Sequence, residues 1–384
     1  MKLIKKVLAI TLVLIMAFSV TACHKKDEIA VTVNGFEYTS AYYMCALINA
    51  YSEGQTEVQT ALGDKFKADT DYFKQNIGGK KFEEWVKNRA IEILEEIGTY
   101  QKLCKDAKIE LDDKMMSDAQ NMAYYMWAYY GYGQLFEPNG VSFNTYLQFT
   151  VDSYYTELYF DHVYGEDGKK EIASADVEAK LYKDFLIADL LEVTFDKETD
   201  KEKEEIKKKL DGYLKDLQDG KKTFEEVYND YNKVEEEKEE DKEEHDHDHD
   251  HEDAETDKDT TETDKDEANK EEEKELEPLD KYAQILGAKD TGYDHDQFDT
   301  VSKMAVNEVK LITKDNKAGY ILVVKKDIKA DPYYRENLDS VVRHLLKDTE
   351  FNKDMAEQFK TAKTDISKYA VNRFKVKKIK EPTY

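Results

Sequence analysis

No globular core can include the 45 residues from Val234 to Pro278. This segment contains 25 acidic and 6 basic residues and almost no apolar side chain, and it carries −19 of the chain's net charge of −27. A segment of this composition buries too little apolar surface to offset the entropy lost on ordering. We therefore expect a disordered acidic insert at 234–278, with folded cores built from the sequence on either side.

Four histidines in the insert alternate with aspartates. They are His245, His247, His249 and His251. Alternate side chains of an extended chain point to the same side, so the four imidazoles could converge on one ion. Histidine with carboxylate suits Zn²⁺ or Ni²⁺. Because no helix or cysteine would hold these ligands rigidly, we expect weak and adaptable metal binding, and the alternative is a solvated loop without a metal role.

The start of the chain has the three zones of an export signal. Lys2, Lys5 and Lys6 give a basic beginning, and an apolar run of 14 residues follows at 7–20. A helix that spans a bilayer takes about 20 residues, whereas this shorter run fits a signal-peptide core. The next residues close the signal, because 20–23, V-T-A-C, resemble the bacterial lipobox.

The lipobox resemblance implies that residues 1–22 are removed as a signal peptide and that Cys23 receives acyl chains. Several acyl chains on one residue anchor a protein stably, whereas one chain is marginal. Residues 23–28 would then tether the folded part to the extracytoplasmic face of the cell membrane. An ordinary secretory signal with an unmodified Cys23 is the alternative.

Charge and cysteine content limit the partners and the chemistry. Outside the insert the chain carries a net charge of only −8. A negative chain has no general attraction for polyanions, so we expect no nucleic-acid partner. Cys45 and Cys104 lie in apolar helical patterns. A disulfide and two buried thiols both fit this placement.

The pattern of residues 29–185 predicts a mainly helical domain that opens with a β-hairpin. Apolar alternation at 29–33, followed by the turn signal Asn34-Gly35, predicts the hairpin. Thr39 or Ser40 can cap the helix that follows. The clearest helix runs from about Phe82 to Lys108, because its apolar residues recur at steps of three and four. Further helices are predicted at 111–132, 142–164 and 174–183.

The pattern changes at about residue 186. Strands are predicted at 186–195, 309–313 and 319–325, and helices at 202–217 and 224–231. Together they describe a small α+β unit at 186–328, which the insert interrupts, with a loop rich in Gly and Asp after the insert. A final helix at 336–363 and a strand at 371–379 are predicted in the closing region, 329–384.

Three segments, in this order and spacing, resemble the foldase lipoproteins of the PrsA type and, more distantly, the periplasmic chaperone SurA. They are I-A-V-T-V-N-G at 29–35, the helix at 90–109 with L-D-D-K after it at 111–114, and I-A-S-A-D-V-E-A-K-L-Y at 172–182. The resemblance implies an α+β protein in which a SurA-like chaperone domain precedes a parvulin-like peptidyl-prolyl isomerase domain. It also implies that the C-terminal helix and strand fold back onto the N-terminal domain, with the strand pairing near 29–33.

Parvulins place two histidines on neighbouring strands beneath an apolar proline pocket. In this chain the resemblance aligns Leu190 and Ile321 with the two histidines, Phe298 with the aromatic floor of the pocket, and Asp294 with the usual pocket methionine, while Met304 lies nearby. Two buried polar groups replaced together by apolar ones can be structurally neutral. The resemblance therefore implies a parvulin-like fold whose catalytic pair has been lost.

An aromatic run at 124–132, Y-Y-M-W-A-Y-Y-G-Y, stands out in a chain with 27 tyrosines. Tyr and Trp supply large contact area at low entropy cost. Tyr125, Trp127 and Tyr129 are therefore candidate peptide-binding residues, together with Phe298 and Met304. The alternative is packing between helices, although consecutive residues of a helix cannot all be buried.

These features predict a membrane-anchored chaperone that assists the folding of exported proteins. Its partners would be unfolded or partly folded polypeptides and, through the lipid, the membrane, and a homodimer is one allowed assembly. An active prolyl isomerase is one alternative, and a lipoprotein that captures metal with 245–251 is another. No cofactor is expected beyond weak Zn²⁺ or Ni²⁺. No hydrolase or phosphate-binding motif is present.

Overall fold

The computed structural model describes residues 28–243, 281–330 and 332–382. The protein is a mixed α+β chain, which confirms the predicted fold class. It divides into two compact units: the first contains Met1–Ile172 and Lys347–Tyr384, and the second contains Ala173–Leu346. These unit boundaries differ from the domain boundaries that the sequence predicted, which lay between residues 185 and 186 and between residues 328 and 329. The helix at Ser174–Asp184 belongs to the second unit because it packs against the strand that follows it.

The elements are numbered in chain order. Before residue 173 they are β1 (Ile29–Val33), β2 (Phe36–Thr39), α1 (Ser40–Leu62), β3 (Asn76–Ile77), β4 (Lys80–Lys81), α2 (Phe82–Ala107), α3 (Asp113–Ala128), α4 (Tyr132–Phe136), α5 (Phe143–Ser153) and α6 (Tyr155–Tyr164). After it they are α7 (Ser174–Asp184), β5 (Phe185–Thr194), α8 (Asp200–Gln218), α9 (Phe224–Glu243), β6 (Ala283–Gly287), α10 (Phe298–Ser302), β7 (Val309–Thr313), β8 (Gly319–Lys326), α11 (Pro332–Phe359), β9 (Thr364–Ile366) and α12 (Lys368–Asn372). Short 3-10 helices lie at Gly63–Lys65, Tyr72–Lys74, Glu137–Asn139, Asp315–Lys317 and Val376–Lys378.

The first unit contains a three-stranded antiparallel sheet in the order β2-β1-β9. The predicted turn joins β1 to β2, and both of its residues have positive φ, 53° at Asn34 and 90° at Gly35. The predicted pairing of a C-terminal strand with β1 is confirmed, since Val31 lies opposite Ile366. The predicted strand residues 371–379 were wrong, however, because the pairing strand is β9.

The chain cannot continue as a strand after β9 because Ser367 begins a helix. The Ser367 side chain accepts a hydrogen bond from the Ala370 amide at 3.3 Å, which is an N-cap interaction. Ala370 and Val376 are then buried in the core of the first unit. These two residues are therefore buried from helical turns and not from the strand that the sequence predicted.

The core of the first unit forms mainly between α1 and α2. The predicted helix at Phe82–Lys108 is confirmed as α2, and Thr39 caps α1 as expected by accepting from the Tyr42 amide at 3.2 Å. Gly98 brings α2 close to the sheet. A Cβ at this position would lie 2.8 Å from the Val33 Cβ.

Two predicted helices are each interrupted. The helix expected at 111–132 ends at Ala128, and Gly131, with φ of 74°, reverses the chain before α4. The helix expected at 142–164 divides into α5 and α6 at Tyr154. The Ser153 hydroxyl donates to the Thr150 carbonyl at 2.6 Å, and such bonds compete with the helical backbone pattern.

The second unit contains a four-stranded antiparallel sheet in the order β6-β5-β8-β7. One sheet face packs against α10, and the other packs against α8 and α9. Strand β6 and helix α10 lie where a loop was predicted. β6 is short and half-exposed, so it lacks a strand pattern of its own, and its pairing along β5 from Phe185 to Asp189 defines it.

Helix α9 continues beyond Tyr231, where the sequence predicted its end, to Glu243. Ten residues of the predicted disordered insert are therefore helical. Glu and Lys have good helix propensity, so the helix propagates after its apolar first half. The rest of the insert lies outside the described residues.

Candidate functional site

The most exposed aromatic surface of the first unit lies at the end of α3. Four tyrosines there have between 56% and 69% of their surface exposed. They form the tyrosine cluster, which consists of Tyr124, Tyr125, Tyr129 and Tyr130. The ring centroids of Tyr125 and Tyr129 are 4.9 Å apart, and those of Tyr125 and Tyr130 are 6.1 Å apart. Met122, half exposed, precedes the cluster on the same helix.

The way in which α3 packs explains this exposure. The Asp112 side chain caps α3 by accepting from the Met115 amide at 2.7 Å. Ala119 and Ala123 are buried, and α3 packs on α5. Residues three and four apart share a helix face, so Met122, Tyr125 and Tyr129 follow one another along the opposite face.

Trp127 belongs to the core instead. Its ring lies 5.5 Å from those of Phe143 and Tyr146 and 6.3 Å from that of Phe136, and it is half-buried. Two residues along a helix correspond to about 200°, so Trp127 points away from Tyr125 and Tyr129. The structure therefore brings together two of the candidate peptide-binding residues, Tyr125 and Tyr129, and separates Trp127 from them.

Leu190, Ile321, Phe298 and Met304, which the sequence comparison singled out, come together in the second unit. Leu190 and Ile321 are each 2% exposed, and they share one apolar cluster with Met304, which is buried, and Phe298, which is half-buried. Leu190 lies opposite Val323 on β8, and Ile321 lies opposite Glu192 on β5. Leu190 and Ile321 are therefore diagonal neighbours on adjacent strands.

A polar group borders this apolar face. Glu192, two residues after Leu190, accepts from the Lys314 amine at 2.9 Å. The His295 Nδ1 accepts from the Gln297 amide at 3.1 Å, so the Nε2 carries the proton and points to Glu192 at 3.4 Å. Partial burial raises the pKa of Glu192, but Lys314 and His295 outweigh it and lower the pKa below its ordinary value.

Sequence reasoning did not assign this polar group a role. One signal was available, since Glu192 interrupts the apolar run of β5. Its two partners come from segments more than 100 residues away in sequence.

Asp294, aligned with the pocket methionine, closes a loop. Its carboxylate accepts from the backbone amides of Asp290 at 2.6 Å, Thr291 at 3.2 Å and Gly292 at 3.1 Å. These bonds lower the pKa of Asp294. It therefore shapes the chain before α10 and offers no apolar contact to that face.

A buried carboxyl group lies in the first unit. Asp152 accepts from the Tyr42 hydroxyl at 2.7 Å and from the Gln148 amide at 2.9 Å. Burial raises the pKa of Asp152 to about 6, although these hydrogen bonds oppose the rise. The group joins α1 to α5 within the core.

A pocket in the first unit has a different lining from the tyrosine cluster. This pocket has a volume of about 280 Å³ and is lined in part by Asn34, Thr99, Lys102 and Lys363. It contains no aromatic lining residue. The tyrosine cluster, in contrast, is an open aromatic surface.

Metal and thiol chemistry find little support in the described residues. No group of three or more His, Cys, Asp and Glu is placed there to hold a metal ion. Cys45 and Cys104 are buried free thiols, so the disulfide alternative is not realised. Burial raises the pKa of both thiols, that of Cys104 to about 12. Cys23 and the histidines at 245–251 lie outside the described part of the chain.

No family model matches the chain, and no curated protein is significantly similar to it. Within the described ranges, no helix combines the length and the apolar character that crossing a membrane requires.

Proposed function

We propose that this protein is a chaperone for exported polypeptides, held on the extracytoplasmic face of the cell membrane by a lipid on Cys23. The exposure of the tyrosine cluster carries this proposal. Large exposed apolar groups that lie together on a folded surface indicate an interaction site. Tyrosine suits an adaptable site because its ring is rigid and its hydroxyl tolerates water.

The rest of the first unit supports the same function. The core under the cluster is rich in aromatic contacts, including those of Trp127 with Phe136 and Tyr146. Such packing holds α3 firmly in place. The rings of the cluster then need little ordering when they bind a segment, which lowers the entropic cost of binding.

We further propose that the parvulin-like second unit binds or supports polypeptides without isomerising proline bonds. A prolyl isomerase must favour the twisted amide over the planar one. The side chains of Leu190 and Ile321 carry no hydrogen-bonding atom, and both are buried. The polar neighbour on that face, Glu192, is engaged by Lys314.

An aggregation assay tests the chaperone function. Full-length protein is added to a client enzyme that is heated until it unfolds, and light scattering is followed. We expect suppression by the wild-type protein and at least a halving of that suppression in Tyr125→Ser/Tyr129→Ser. Tyr369→Ser is the matched control, because Tyr369 is 72% exposed on the same unit but lies outside the cluster.

Two results contradict the proposal. One is a wild-type protein that leaves client aggregation unchanged. The other is a double variant that protects the client as well as the wild-type protein and the Tyr369→Ser control do.

A further inference from the structure

The segment around the tyrosine cluster contains no Lys or Arg over a long stretch. Lys and Arg make up 57 of the 384 residues, yet none occurs at 115–168. Seven acidic residues occur there: Asp118, Glu137, Asp152, Glu157, Asp161, Glu166 and Asp167. The exposed rings therefore lie on a stretch of chain to which Lys and Arg supply no positive charge.

The tyrosine cluster also differs from other tyrosines of the chain. Several of those rings have a lysine of the same chain above them. The amine of Lys209 lies 4.8 Å from the Tyr231 ring centroid, and that of Lys329 lies 4.7 Å from the Tyr182 centroid. Among the described residues, no Lys or Arg lies over a ring of the cluster.

Helix geometry adds a carboxylate to the same face. Asp118 is exposed, and Met122, Tyr125 and Tyr129 follow it at steps of four, three and four. This spacing places the four side chains on one stripe of α3. Lys114 lies one turn before Asp118, at the far end from the rings.

The C-terminal end of α3 also favours positive charge near the cluster. α3 ends at Ala128, and Tyr129 is its C-cap. The C-terminal end of a helix carries a partial negative charge, which favours a cation nearby. Ring faces, helix end and carboxylate therefore all favour positive charge at the cluster.

We propose that the tyrosine cluster binds unfolded segments in which Lys or Arg stands beside apolar residues. The cation lies over the tyrosine rings, and the apolar neighbours contact Met122 and the ring edges. This inference rests on the proposed chaperone function and names the class of polypeptide that the site accepts. Acidic segments are repelled by the same surface, and neutral ones bind by apolar contact alone.

Three matched peptides test the preference. Each peptide is 12 residues long, and Leu and Phe occupy the same positions in all three. Four other positions are all Arg in the first peptide, all Gln in the second and all Glu in the third. Fluorescence anisotropy measures their affinity for the full chain. We expect the Arg peptide to bind about tenfold more tightly than the Glu peptide, with the difference narrowing at 0.5 M salt because surface charges are screened.

Variants distinguish the contribution of the ring faces and the carboxylate from that of apolar surface area. Tyr125→Leu/Tyr129→Leu keeps apolar surface but removes the ring faces, so we expect the preference for Arg over Glu to fall to about twofold. Asp118→Asn is expected to reduce it by a smaller factor, and Tyr369→Leu to leave it unchanged. Circular dichroism melting verifies that each variant folds.

The outcomes are distinguishable. Equal affinity for the three peptides, or an unchanged Arg preference in the leucine variant, overturns the cation preference while the chaperone function stands. Failure of the wild-type protein to bind any of the three overturns this inference and counts against the chaperone function as well.

Discussion

Leu190 on β5 and Ile321 on β8 are diagonal neighbours on one sheet face, and both are almost fully buried. They occupy the positions at which the family resemblance expects a hydrogen-bonded pair of histidines. Two apolar side chains in these places keep the strand pairing and the packing on Met304. Because both side chains are apolar, neither leaves an unsatisfied polar group at this buried place in the sheet.

Histidine placed at one of these positions should destabilise the second unit. We expect Leu190→His to lower the free energy of unfolding by about 2–4 kcal/mol, since a buried polar group would lack a partner. Leu190→Met is the control and should cost less than about 1.5 kcal/mol. Urea denaturation measures both. A histidine variant as stable as the methionine variant would show that this face admits water or offers an unseen partner.

Gly98 should tolerate no side chain. Alanine is normally favoured over glycine inside a helix by about 1 kcal/mol. At Gly98 its methyl group would meet Val33 and the Tyr38 hydroxyl at 2.8–2.9 Å, so we expect Gly98→Ala to destabilise by about 1–3 kcal/mol. Gly212→Ala, in α8 with open space around it, should instead stabilise by about 0.5–1 kcal/mol. Stability changes of the same sign at both sites would contradict this expectation.

The C-terminal segment should stabilise the first unit through Val376. This side chain is buried in the core of that unit, and we expect Val376→Ala to cost about 1–3 kcal/mol. Tyr369→Ala removes a larger but exposed side chain from the same segment and should change stability by less than about 0.5 kcal/mol. Hydrogen exchange at the β1 amides provides a local measurement. Unchanged protection there in Val376→Ala would argue against this role.

Asp152 should make stability depend on pH. The pKa of Asp152 in the folded protein, about 6, lies above its ordinary value of 3.8. The stability that protonated Asp152 contributes is therefore fully present below pH 3.8 and is lost as pH rises through 6. Asp152→Asn removes this titration. Between pH 4 and pH 8 the wild-type protein should lose about 2 kcal/mol relative to the variant. Denaturation at several pH values measures the difference, and parallel pH profiles for the two proteins would exclude a raised pKa.

Zinc binding should come from the histidine tract. The described residues contain no cluster of ligands that could hold a metal. We expect calorimetry to detect weak Zn²⁺ binding to the full chain and none after deletion of 244–278, which leaves α9 intact to Glu243. Equal heats from both proteins would assign the metal to another part of the chain.

Some features of this protein follow from neighbouring residues alone. The apolar spacing of α2, the Asn34-Gly35 turn and the Thr39 cap are local patterns, and the structure has all three where the sequence predicts them. Strand β5 is likewise recognisable from its apolar run. Such elements are predictable because the interactions that select them lie within a few residues along the chain.

Other features depend on residues distant in sequence. β6 exists through its pairing with β5, and the C-terminal partner of β1 is β9 because Ser367 caps a helix immediately afterwards. The same dependence governs the candidate site. The sequence alone predicted an aromatic run, but the packing of α3 on α5 decided that Tyr125 and Tyr129 are exposed while Trp127 joins the core. Burial is a property of tertiary contacts, and no local pattern determines which of several neighbouring aromatic residues will have them.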